Sequence, residues 1–196
     1  LETNENYEVN SFLAGAFNGA LTGYNLIIMH QVPSVSNNYS KLLTDINQSK
    51  IPVLFILGSK GLISGFNNAQ SDLSIPNSGG KMNDVMPVVS KDFSLFTLSD
   101  ALKSYVSKFP PLQSPFGNYK LNSAGAVLFY QKIGLVETQI PLFFFGQSEE
   151  RKSGGICGEG IWRWRLQDHA DHGNQEIFNE LINKTRTFII HNNFGC

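Results

Sequence analysis

The chain has 196 residues, with 15 Lys plus Arg against 16 Asp plus Glu, a formal net charge of -1 and only 16% charged residues. An apolar content of 41%, with 15 Phe and 6 Tyr, excludes a disordered chain, and 15 scattered cations exclude a strongly basic nucleic-acid binder. Two Cys, one of them the last residue, exclude a disulfide framework.

Residues 7–13 alternate apolar and polar and predict a short strand. Residues 24–30, rich in branched apolar side chains, predict a clearer one. Pro33 and the Ser/Asn run after it predict a loop. Asn38 or Ser40 is then placed to cap a helix over 39–48, with Leu42, Leu43 and Ile46 on its buried stripe. Pro52 precedes a near-continuous apolar run, 53–57, that Gly58 ends. Such a run suits a strand covered on both faces. Strand, helix, strand in this order predicts a right-handed parallel unit.

Residues 61–70 predict a short helix. Residues 71–92 read as a long irregular excursion with an edge strand at 85–89. Residues 98–106 predict a helix capped by Ser99, with Leu102, Tyr105 and Val106 inward, and Pro110-Pro111 stops it. Residues 113–122 read as loop. Strands at 126–131 and 141–145 are expected to be neighbours, joined as a hairpin around 134–138. Glu149 to Gly155 reads as a charged turn and 155–158 as the start of a last short strand. The strongest helix is 174–190, where Ile177, Leu181, Lys184 and Phe188 share a stripe.

The order of elements predicts one α/β domain over 1–196, a three-layer α/β/α fold with a mostly parallel sheet. A doubly wound pattern would begin with a strand and helix ahead of Tyr7. The segment is therefore expected to lack its first β-α unit and to leave an apolar face or edge near Val9 and Leu26. No apolar run approaches the ~20 residues of a membrane helix. The chain opens on Leu-Glu-Thr without the basic and apolar regions of a signal peptide.

Several residues are candidates for chemistry. Gly58-Ser59-Lys60-Gly61 follows the strongest strand, one residue off the Gly-x-Ser-x-Gly spacing of a nucleophile elbow. Ser59 as nucleophile would need a base, for which His30 or His169 is available. The competing reading is a plain strand-to-helix turn. Cys157 in its Gly-rich setting is a second nucleophile candidate, or a buried small hydrophobe. Asp168, His169 and His172 are metal-type ligands, though a capping Asp explains the first as well. No phosphate-cradling or dinucleotide-binding Gly pattern occurs, so no cofactor is implied. Three sequons, at Asn38, Asn47 and Asn183, are expected by chance among 19 Asn.

Gly158-Glu159-Gly160-Ile161-Trp162-Arg163-Trp164-Arg165-Leu166 is the most distinctive stretch. If it is extended, Trp162 and Trp164 face one way and Arg163 and Arg165 the other. Stacking Trp, phosphate-holding Arg and Glu159 would then form a carbohydrate or nucleotide site. The alternative has the Trp pair packing a loop onto the sheet ends.

This stretch resembles a signature of uncharacterised Bacteroidetes proteins. These are similar to large membrane-anchored proteins with a von Willebrand A-like region and a domain resembling class I glutamine amidotransferases. Asn6-Tyr7-Glu8-Val9, residues 52–58, Phe93-Ser94-Leu95-Phe96, Phe109-Pro110-Pro111-Leu112 and Gln131-Lys132-Ile133-Gly134 also match, so the resemblance runs to about Lys184. Residues 185–196 depart from it. The resemblance implies a flavodoxin-like fold and a parent protein in the bacterial envelope, with this segment on the periplasmic side of the inner membrane. It also implies an elbow Cys and a late His-x-Glu pair. This chain has Gly58-Ser59 at the elbow and lacks the late pair. The expectation is a non-catalytic domain that binds a protein partner, other domains of the parent, or a small ligand, and not nucleic acid.

Overall fold

The computed structural model describes residues 7–37, 39–76, 79–122, 124–147 and 151–191. The elements are β1 (Ile27–His30), α1 (Ser40–Ser49), β2 (Val53–Ile56), α2 (Ile63–Ala69), β3 (Leu73–Ser74) and β4 (Met82–Val89). Then follow α3 (Asp100–Tyr105) with a 3-10 turn (Val106–Lys108), β5 (Leu112–Pro115), β6 (Lys120–Leu121) and β7 (Ala126–Ile133). The chain closes with β8 (Val136–Gln147), β9 (Lys152–Ile156), α4 (Trp162–His172) and α5 (Glu176–Ile190).

Among the described residues, seven strands form one sheet in the order β1-β2-β9-β8-β7-β4-β5, and β3 pairs with β6 in a small second sheet. The β1–β2–β9 corner is parallel. The four pairs from β9 to β5 are antiparallel. This overturns the expected mostly parallel, flavodoxin-like, amidotransferase-like sandwich. The reason lies in the connections. Two residues, Gly134 and Leu135, separate β7 from β8, and four separate β8 from β9. A parallel neighbour needs a crossover of a dozen residues or more.

Alternation along the strands divides the apolar side chains between two cores. Leu54, Phe143, Phe145 and Ile156 enter one with Leu102, Trp164, Leu181 and Ile189. Val53, Phe55 and Phe144 enter the other with Ile46 of α1 and Phe66 of α2. Burying a large apolar side chain contributes about 1.5–3 kcal/mol, and each core holds ten or more such residues.

Other expectations change as well. Lys152 to Gly155, expected in a charged turn, belong to β9, between β2 and β8. Residues 7–13 form no strand. The stretch 85–89 belongs to the eight-residue β4, which lies inside the sheet between β5 and β7. Within 113–122, read as loop, residues 113–115 and 120–121 belong to strands β5 and β6, and Leu112 and Ser114 of β5 point into the interior. The Trp-Arg stretch is helical from Trp162 onward. By contrast, α1, α3 and α5 form within two residues of their expected bounds. Ser99 caps α3 by accepting the Leu102 N–H at 3.1 Å. Asn38, Glu149, Glu150, Cys196 and the last residues of 185–196 lie outside the described residues.

The far edge of the sheet curls back. Gln113 of β5 and Glu159, just past β9, exchange both backbone hydrogen bonds, at 3.0 and 2.8 Å. Ser114 reinforces the closure by donating to the Cys157 carbonyl. The result holds the segment after β9 from two sides and sets the position of Glu159.

Candidate functional site

The carboxyl ends of the three parallel strands lie together, so the residues that follow them meet. His30 and Gln31 end β1, Ser59 and Lys60 follow β2, and Glu159 follows β9. Glu159 Oε2 accepts the Ser59 amide at 3.0 Å and the Ser59 hydroxyl at 2.9 Å. The Lys60 amide donates to Gln31 Oε1 at 2.9 Å. The two Ser59 bonds hold the Glu159 carboxyl below the usual carboxylate range, the backbone bond most strongly. Partial burial opposes them, and a Gln31 hydrogen bond and the nearby His30 add to the lowering.

Gly58 makes the cluster possible. A Cβ there would stand 2.6 Å from Gln31 Cδ and 2.9 Å from Glu159 Oε2. Gln31 itself is in the left-handed region at φ 53, a backbone state that costs a non-Gly residue free energy and gathers at functional loops. Sequence reasoning placed Ser59, His30 and Glu159 but not Gln31. Its signal is tertiary, because the backbone turn aims its amide at the loop after β2.

The Ser59 hydroxyl is engaged by Glu159. Its hydrogen points at a carboxylate, and among the described residues no histidine nitrogen hydrogen-bonds to it. Cys157 is fully buried, and burial pushes its thiol well above the ordinary value. The thiolate that would attack a substrate is thus suppressed. His169 is on the exposed side of α4.

The Trp-Arg stretch divides along the helix. Trp164 is fully buried, stacks on Phe109 at 4.5 Å and donates its indole N–H to Pro110 O at 2.7 Å. Trp162 is 61% exposed, and Leu166, one turn on, is exposed as well. Arg163 donates to Pro111 O at 2.7 Å, and Arg165 to Gln175 Oε1 at 2.6 Å. The expected Trp face and Arg face therefore do not exist: residues two apart on a helix point in nearly opposite directions. Three of the four side chains fasten α4 to its surroundings.

Asp168 is also fastened. It is fully buried, with Oδ1 at 2.8 Å from His172 Nδ1 and Oδ2 accepting the Phe178 N–H at 2.8 Å. That second bond satisfies an open donor in the first turn of α5. His169 points elsewhere, and no group of three or more His, Cys, Asp or Glu placed to hold a metal occurs among the described residues. Two sequon Asn are engaged in the fold: Asn47 accepts from Arg151 and Asn183 from Tyr7.

No protein-family model and no curated protein matches the sequence. Solved structures do. The chain is similar to the cytoplasmic protein STM3548 from Salmonella typhimurium, at 14% identity and a TM-score of 0.45, over 85% of this chain and 72% of that one. It is similar to the mmIFT52 N-terminal domain, at 13% identity and a TM-score of 0.47, over 95% and 84%. It is also similar to the β-galactosidase from Rahnella sp. R3, at 12% identity and a TM-score of 0.41, over 86% of this chain and 24% of that one. No helix among the described residues is long and apolar enough to cross a membrane.

Proposed function

We propose that this chain is a non-catalytic recognition module, serving contact with a protein partner or with other domains of a larger protein. One observation carries the reading: the Ser59 amide and hydroxyl are both given to Glu159. The Ser59 hydroxyl is held by a carboxylate that the same two bonds keep below the usual range, a weak base, and among the described residues no histidine hydrogen-bonds to it. The surface that remains for contact is the rim around this cluster, where His30, Ser59, Lys60 and Val35 are exposed. Trp162 and Leu166 extend it along α4. The sequence resemblance of residues 158–166 supports a parent protein of the bacterial envelope, on the periplasmic side.

The test is turnover of glutamine and of p-nitrophenyl acetate by the purified chain, beside Ser59→Ala and Cys157→Ala. The expected result is the same background rate in all three. A rate that either substitution abolishes would replace this reading with a hydrolase using Ser59 or Cys157.

A further inference from the structure

The turn after β2 gathers hydrogen-bond donors in one small region. The Ser59 amide, the Ser59 hydroxyl and the next amide, that of Lys60, find their acceptors in Glu159 Oε2 and Gln31 Oε1. Both acceptor oxygens crowd the place that a Cβ on Gly58 would take, Gln31 Oε1 2.8 Å from it and Glu159 Oε2 2.9 Å. Gly58 has no positive φ, so its backbone conformation does not call for glycine. The space above it does, as where a chain closely approaches a ligand.

Successive amides aimed at one region make a concavity for an anion. The charges nearby have the matching sign. His30 is close enough to Glu159 to favour its ionised form, and Lys60 forms no ion pair among the described residues. The seat lies at the carboxyl ends of the parallel strands, the usual ligand crevice of such sheets. Ser59 and Lys60 are open to solvent there.

A second carboxylate shows what a purely structural grip looks like. Glu180 takes the Ser99 amide and hydroxyl in the same way, at 2.9 and 2.5 Å. It also pairs with Lys184 at 3.3 Å, and Ser99 caps α3, so that grip ties α3 to α5. Ser59 caps no helix, since α2 begins at Ile63 with Leu62 before it. Glu159 forms no ion pair among the described residues. Its backbone is held by both bonds to Gln113, so its segment stays in place when the side chain turns away.

We infer that residues 58–60 form a carboxylate-binding seat, that Glu159 is its built-in occupant, and that an outside carboxylate takes the seat when the Glu159 side chain swings out. The occupant itself defines the ligand class: one carboxylate oxygen accepts an amide and a hydroxyl at once, and the Lys60 amide comes free if Gln31 follows. This deepens the recognition reading above and rests on it. Turnover abolished by Ser59→Ala would end that reading, whereas the measurements below test the seat alone.

NMR amide shifts and urea midpoints of the full chain at neutral pH, in sodium acetate against sodium chloride at equal ionic strength, provide the test. In Glu159→Ala the seat is vacant. Acetate is expected to shift the Ser59 and Lys60 amides saturably, and about 100 mM to raise the folding equilibrium constant about tenfold over chloride. Adding Ser59→Ala removes one donor and is expected to weaken acetate about tenfold. In the unsubstituted chain Glu159 competes, and the same amides should respond with a slope about a hundredfold shallower. Glu159→Gln decides the matter if Glu159→Ala does not fold, since its neutral amide yields the seat more readily than the carboxylate does. Amides that do not move in either variant overturn the seat. Equal slopes in the variant and the unsubstituted chain overturn Glu159 as occupant. Inorganic phosphate that half-saturates the shifts below acetate overturns the ligand class. Acetate and N-acetyl-aspartate amide separate the sources: tighter binding of the capped aspartate supports a partner protein's side chain in the seat, and tighter binding of acetate a small acid.

Discussion

Glu159 binds Ser59 twice, through amide and hydroxyl, across 100 residues of sequence. The same Glu159 exchanges both backbone bonds with Gln113. One residue thus joins the parallel corner of the sheet to its curled antiparallel edge.

Removing that carboxylate should be felt as stability rather than as activity. Glu159→Ala is expected to cost about 1–2 kcal/mol, the range for a charge-assisted hydrogen bond discounted for partial exposure. Glu159→Gln should cost less, because the amide oxygen still accepts. Urea midpoints at neutral pH check both.

The same pair predicts a pH dependence. Glu159 has a folded pKa below its unfolded one. Its contribution is therefore fully present above the unfolded carboxyl value, about 4.3, and is lost as pH falls through the folded value. Glu180, which accepts from the Ser99 amide and hydroxyl, is lowered as well and acts in the same direction. Between neutral pH and pH 3 the loss of stability should be smaller in Glu159→Gln than in the unsubstituted chain. Equal losses in urea titrations at the two pH values would contradict the assignment.

Trp164 should be one of the costliest residues to truncate. Trp164→Ala removes a fully buried ring, its stack on Phe109 and the bond to Pro110, and is expected to cost about 3–5 kcal/mol. Trp162→Ala, on the exposed side of the same helix, should change stability by less than about 0.5 kcal/mol. Thermal melts of the two variants separate the roles.

Cys157 should resist alkylation. Its thiol is buried and pushed up. Peptide mapping after iodoacetamide should find Cys157 unmodified in the folded chain and modified in denaturant. Rapid modification without denaturant would mean an open path to the thiol.

Asp168 should be intolerant of Ala. Both its oxygens are used, by His172 and by the first turn of α5. Asp168→Ala is expected to cost about 2–4 kcal/mol by leaving that amide unpaired, and Asp168→Asn less. Loss of helical circular dichroism at lower temperature is the readout.

What the linear chain determined was local. Apolar spacing at 3.6 residues located α1, α3 and α5, the apolar run before Gly58 located β2, and Ser99 marked a cap, because each depends on neighbours within a turn or a strand. Pairing direction was decided elsewhere. The β1–α1–β2 unit is parallel as its order implies, yet the sheet as a whole is not, because the short links around β8 permit antiparallel neighbours alone. The Trp-Arg stretch has no period that separates strand from helix over nine residues, and its burial against Phe109 and Phe129 settles it as the start of α4. The site followed the same division. Ser59 stood out after an apolar strand, and Glu159 as part of the Trp-Arg stretch. That they answer each other, with Gln31 beside them, depended on three strand ends meeting and on the curl that fastens Gln113 to Glu159. Hydrogen bonds between residues 100 positions apart leave no mark in local sequence, and here they tie Ser59 to Glu159.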